Sequence, residues 1–298
     1  MRTSTSTRYP FDKLGIDNAI SLFKRSGFDC LDLSIDKFTD EIRRGDWKET
    51  AELCRSLAEK HGITYNQAHA PYGGGRGDLN TRGNYATNLV PIMPEALRMA
   101  AAAGVSTVVV HPIVFLDTGY VGHEAEHFEA NMEYYTKLIP IARDLGIKIA
   151  IENLWWRAPV SNAIVNATCA DSTEHALYYD TLNAPDVITL CLDVGHSALV
   201  GREPEDVIRA LGHDRLGALH IHDVDYVSDL HTLPWLSKLN WDAITSSLAE
   251  IDYKGELTLE ADYFVHNFSA DLMEPAVKLM GNTARHLADL VDSKRPKK

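Results

Sequence analysis

Short apolar runs alternate with longer mixed segments along this chain, and the runs close on the same few residue types. ITYNQAH, VSTVVVH, IKIAIE, VITLCLD, LGALH and ELTLE end at His69, His111, Glu152, Asp193, His220 and Glu260. Runs rich in Val, Ile, Leu and Thr read as buried parallel strands, and segments with apolar residues at i, i+3 and i+4 read as helices. TSTST near the start and FDCLDLSI supply two further strand candidates. Helices are expected over 14–26, 47–60, about 124–145, about 173–182 and about 271–291. PEALRMAAAAG, EPEDVIRALG and WDAITSSLAEI supply the others, and Gly62 and Gly146 are placed as C-caps.

The pattern is strand then helix, repeated eight times, with no Pro/Ser linker and no second composition regime. Alternating βα units imply a parallel sheet with right-handed crossovers. Eight units in a chain of 298 residues predict a single (β/α)8 TIM barrel with a closed sheet, one domain over 1–298. An open doubly wound sheet is the alternative. No GxGxxG opens a helix after a strand, which weighs against its dinucleotide-binding form. GGGRG at 73–77 lacks that spacing and reads as a loop, with contact to an anionic ligand as its competing reading.

A charged or imidazole ending on a buried strand costs several kcal/mol unless it finds a partner. Six such endings suggest one shared solution, a metal site at the carboxyl rim of the sheet, where barrel active sites lie. Glu152, Asp193, His220 and Glu260 are the leading ligand candidates. For Glu152 the competing reading is an N-cap or a pair with Arg157, and for Asp193 a cap on the next turn. Asp193-x-x-His196 offers two ligands from one segment. His69, His111, Asp229 and His231 are candidates for substrate contact or further metals. His222, two residues from His220 and therefore on the same side of a strand, is a further contact candidate beside Asp223. Trp155 could pack its ring on a ligand at the mouth or against neighbouring loops, and Arg157 could hold a phosphate or carboxylate.

Composition narrows the partners. Hydrophobic residues are 45% and charged residues 24%, ordinary for a globular protein. The net charge of −13 disfavours nucleic acid, and the one basic run, KRPKK, reads as a solvated tail. No segment approaches the ~20 apolar residues of a membrane span, and the N-terminal MRTSTSTRYPFDKLG lacks the apolar region of a secretory leader. The four cysteines form no CxxC pair, and Cys30 and Cys191 read as small buried hydrophobes. Reduced thiols and a cytoplasmic location are expected.

The ordered series HAP, VVVHP, IEN, LDVGH, HIHD, DLHTLPW and LEAD resembles the xylose isomerase-like TIM-barrel superfamily over about residues 62–262. That superfamily includes sugar and sugar-phosphate isomerases and epimerases, inosose dehydratase-like proteins and endonuclease IV. The resemblance implies that Glu152, Asp193, His220 and Glu260 hold one divalent ion (Mn, Mg, Co or Zn). It also implies that Glu152 and Glu260 are paired acid/base groups acting through an enediolate on a small sugar or sugar phosphate. Isomerisation, epimerisation and dehydration all remain compatible, as does a homo-oligomer. The full nine residues also resemble the three-zinc site of endonuclease IV, which would make the protein a phosphodiesterase. PYGGGRGDLN departs from the endonuclease there, and WLSKLNWD departs from the sugar enzymes by lacking glycines while keeping Trp241. A barrel that binds a sugar without turning it over is the reading outside enzymology.

Overall fold

The computed structural model describes residues 1–73, 80–158 and 160–296. Most of the GGGRG loop, and the last two residues of the basic tail, lie outside that range. Six strands form one parallel sheet in the order β2 (Cys30–Ser34), β3 (Thr64–His69), β4 (Thr107–Val110), β5 (Lys148–Glu152), β8 (Ile188–Asp193) and β9 (Leu216–His220). The first strand, β1 (Thr3–Thr5), pairs in parallel with the last, β10 (Leu257–Leu259). Isolated parallel bridges flank that pair, Ser6 with Asp32 of β2 and Ile221 with Leu259. A short antiparallel hairpin, β6 (Trp155–Arg157) and β7 (Ile164–Asn166), is inserted after β5.

The expected helices are present, with boundaries set by local chemistry. The helix expected over 14–26 runs from Ile16 to Arg25, and Gly15 at φ 74° separates it from an unforeseen helix, Arg8–Leu14. Gly62 and Gly146 do cap their helices, both left-handed. Unforeseen short helices occupy Thr39–Arg44 and Val194–Leu199. No described helix is long and apolar enough to cross a membrane. All four cysteines are free and buried.

The period of two along a strand positions the site. Val108 and Val110 pack into the main core, whereas Val109 clusters with Ala150, Cys191 and Ala218 on the opposite face. That inner face is small and partly polar. Gln67 Nε2 donates to Asp32 Oδ2 at 2.9 Å, and Thr258 Oγ1 donates to Gln67 Oε1 at 3.3 Å. Two residues further along the same face come His69, His111, Glu152, Asp193, His220 and Glu260. Strand geometry therefore stacks the polar rim directly on a layer of small side chains.

Candidate active site

Each of the leading four candidates ends or follows a strand. Glu152, Asp193 and His220 are almost wholly buried, and Glu260 is partly open. His220 Nδ1 lies 3.1 Å from Glu152 Oε1 and 3.1 Å from Glu260 Oε2. Asp193 caps the short helix that follows it, its Oδ1 accepting the His196 amide at 2.7 Å. Capping and site-building are thus one role at this residue. Donor atoms of Glu152, Asp193, His220 and Glu260 all lie within 4.8 Å of one another.

The remaining five candidates gather into two flanking groups, His69–His111–Glu152 and His196–Asp229–His231. His111 Nε2 sits 3.0 Å from Glu152 Oε2, and His231 Nε2 sits 3.1 Å from Asp229 Oδ2. Glu152 is shared between the centre and the first flank. His222 is buried behind Asp193, its Nε2 3.0 Å from Asp193 Oδ1, and its ring stacks on His231 with centroids 4.0 Å apart. A Cβ at Gly195 would meet the His222 ring at 2.1 Å, so the LDVGH glycine is what allows this close approach.

Tautomers follow from the acceptors. His69 Nδ1 donates to Ala70 O at 2.9 Å, His196 Nδ1 to Asn153 O at 2.8 Å, and His231 Nδ1 to Glu260 O at 2.9 Å. A carbonyl only accepts, so each of these imidazoles carries a proton at Nδ1 and turns Nε2 into the site, as the nitrogen that can give up its proton to ligate. His69 Nε2 and His111 Nε2 face each other at 3.1 Å. Two lone pairs at that distance repel unless a proton or a cation lies between them.

The electrostatics point the same way. The ion pairs of Glu152, Asp193, Asp229 and Glu260 among the described residues are all to histidines. Burial alone would raise the Glu152 and Asp193 carboxyls. His220 and His111 outweigh it at Glu152, and His196 and His222 at Asp193, so both are held far below the usual range. Burial pushes Glu260 up to about 7 against the pull of His220 and His231. Burial would lower His69, yet Glu152 brings it to about 9, while burial prevails at His111 and lowers it. Burial likewise opposes ionisation of Asp229, but His231 brings it down to about 2.

These residues fit a divalent cation. Carboxylate and imidazole donors suit Zn²⁺, Mn²⁺ or Co²⁺. Bonds of roughly 2.0–2.2 Å place neighbouring donors about 3 Å apart, as His220 is from Glu152 and from Glu260. Buried Asp229 Oδ1 has no hydrogen-bond partner among the described residues.

A cavity of about 380 Å³ opens above the cluster, walled by Tyr72, Trp155, Trp156 and Tyr263 among others. Arg157 is on its wall, with Nη1 donating to Asn162 O at 3.1 Å and Nη2 to Val227 O at 2.8 Å. The guanidinium therefore ties the β6–β7 hairpin to the segment leading into Asp229. Sequence reasoning did not single out Asp32, Tyr72, Asn153 or Tyr263. Asn153 Oδ1 accepts the Asp193 amide at 2.8 Å and its Nδ2 donates to Asp193 O at 3.0 Å, which locks the ends of β5 and β8 together. The IEN and LDVGH motifs contain both partners, and a charge in the middle of CLDLS is the signal for Asp32.

Comparison with known proteins agrees with the fold. The sequence matches the family described as xylose isomerase-like TIM barrel over residues 20–290. The uncharacterized protein y4fM of Sinorhizobium fredii is 25% identical over 265 residues, 83% of this chain and 81% of that one. The structure of a D-tagatose 3-epimerase-like protein superposes with a TM-score of 0.74 at 17% identity, covering 99% of both chains. The IOLI protein, solved with a bound zinc atom, superposes with a TM-score of 0.70 at 18% identity over the full length of both.

Proposed function

The chain belongs to the xylose isomerase-like TIM-barrel family, and from that premise we propose that it is a divalent-metal-dependent sugar or sugar-phosphate isomerase or epimerase. The two sheets are read as one eight-stranded barrel in a single domain, supported by the bridges at Ser6–Asp32 and Ile221–Leu259. The observation that carries the functional reading is the convergence of Glu152, Asp193, His220 and Glu260 at the rim. These four would hold the ion. A divalent cation bound there supplies the charge that acidifies the carbon beside a carbonyl and stabilises an enediolate.

The protein's own groups do the rest. Glu152 and Glu260 both reach His220 Nδ1 from different strands, and in this reading one carboxylate takes a proton from one face of a substrate and the other returns it. Return to the same carbon inverts it, and return to the neighbouring carbon isomerises. His69, His111, His196, Asp229 and His231 offer lone pairs and acceptors to hydroxyl groups. Trp155 and Trp156 offer an apolar wall to the sugar face, and the cavity is of the size that takes small ligands. The D-tagatose 3-epimerase-like and D-psicose 3-epimerase structures lend the same reading. Exchange of solvent deuterium into candidate ketoses with Mn²⁺, Mg²⁺, Co²⁺ or Zn²⁺ tests it. Incorporation at the carbon next to the carbonyl is expected, and no exchange with any ketose or inosose and any ion overturns the proposal.

A second reading has its own observation. The two flanking clusters, with Nε2 atoms turned inward, favour two more zinc ions and hence an endonuclease IV-like phosphodiesterase. Elemental analysis separates the two: one ion per chain supports the isomerase, and three zincs with cleavage at abasic sites support the phosphodiesterase.

A further inference from the structure

The layer beneath the rim holds a carboxylate that the chemistry above does not use. Asp32 lies in the middle of β2 and is 1% exposed. Its Oδ2 accepts from Gln67 and lies 3.6 Å from His220 Nε2. Its Oδ1 has no hydrogen-bond partner among the described residues, and neither has His220 Nε2. A buried carboxylate with so few partners is costly, by several kcal/mol.

His220 differs from the other histidines in a way that explains it. His69, His196 and His231 give their Nδ1 protons to backbone carbonyls and present Nε2. His220 presents Nδ1 to Glu152 and Glu260 and points Nε2 down the barrel. Strand carbonyls are spent sideways in the ladder, so an acceptor below His220 has to be a side chain. We infer that Asp32 is the positioning residue of His220: when a cation takes the place of the proton between Nδ1 and the two glutamates, Asp32 accepts the Nε2 proton and so holds Nδ1 as the ligating nitrogen. Such carboxylate–histidine pairs behind a ligand set both ring orientation and tautomer, and losing the carboxylate weakens metal binding about 10–100-fold.

This inference rests on the metal-site reading above, and the test separates the two. Mn²⁺ is titrated into the full chain by electron paramagnetic resonance, for wild type and for the near-isosteric Asp32→Asn. A Kd at least about tenfold weaker in Asp32→Asn is expected. A second readout needs no variant: nitrogen-15 spectra of the Zn²⁺-loaded wild type show which ring nitrogen of His220 carries the proton. Protonated Nε2 with ligated Nδ1 is expected, and a purely structural Asp32 would not dictate it. A Kd within twofold of wild type in folded Asp32→Asn, or a His220 ligated through Nε2, overturns the inference. If the wild type takes up no divalent ion, the metal-site reading itself fails and this inference goes with it.

Discussion

The two ends of the strands handle charge in opposite ways. At the amino ends, carboxylates meet guanidinium groups at the surface: Arg2 pairs with Glu256 at 3.2 Å, and Arg285 pairs with Asp29. Arg2 also donates to Thr64 Oγ1 at 2.9 Å, joining the starts of β1 and β3. At the carboxyl ends, buried carboxylates meet imidazoles, and several atoms have no hydrogen-bond partner among the described residues. An arginine is always charged and satisfies a carboxylate permanently, whereas an imidazole can release its proton and ligate. The amino end is built to be finished, and the carboxyl end to be completed by something that binds.

Four measurements bear on that contrast. The largest effect is expected at the rim. Glu152→Gln and Glu260→Gln should each lower kcat for ketose proton exchange by about 10²–10⁴-fold, with far-UV circular dichroism unchanged. Full activity in either variant would remove the paired-glutamate mechanism.

Next is His175, which lies between the two ends. Its Nε2 donates to Ile151 O at 2.8 Å from the back of β5, and burial lowers its pKa to about 4. The folded state therefore resists protonation while an unfolded chain takes up a proton near 6.5. Stability from this group is complete above pH 6.5, is lost as pH falls from 6.5 to 4, and does not change further below. The loss amounts to about 3 kcal/mol at most, and His175→Gln should flatten urea-derived stability across that window. A His175→Gln profile that runs parallel to wild type between pH 6.5 and 4 would show that the histidine behind β5 is not held neutral.

Metal loading should have a comparable effect. An ion at a hundred times its Kd stabilises by about 2.7 kcal/mol, which for a chain of this size is a melting-point rise of roughly 5 °C. Chelation should reverse it, and an unchanged melting point would remove the charge argument made for the rim. The smallest effect is at the amino end. Arg285→Ala should cost at most about 1 kcal/mol, since its pair with Asp29 is partly exposed, and should leave the Mn²⁺ Kd as it was. A change in that Kd would show that the two ends are coupled.

Much of the rim was legible because strand-end residues leave a linear trace. An apolar run that stops on His, Glu or Asp marks both a strand and its mouth, so Glu152, Asp193, His220 and Glu260 could be read one at a time. What could not be read was what those residues share. The division of the outer five into two groups depends on the loop that folds Asp229 and His231 back over His196, and no periodicity encodes that. The β6–β7 hairpin was missed because its strands are three residues long and half-buried, which gives no alternation to detect. Asp32 was hidden in plain order. CLDLS reads as a strand with one charged position, whereas all five residues are buried on the two faces of the sheet.

The pairing of β1 with β10 bears on the order in which the chain folds. It brings Thr3 beside Leu257 and Thr5 beside Leu259, while the other parallel strands pair with near neighbours in sequence. Closing so long a loop carries the largest chain-entropy cost in the molecule, and contacts of that range form late. Glu260 follows β10 directly and His220 ends the strand beside it. Most of the rim can therefore assemble early, while its last carboxylate arrives only when the two ends of the chain meet. A folding intermediate should have most of its strands paired and an incomplete site.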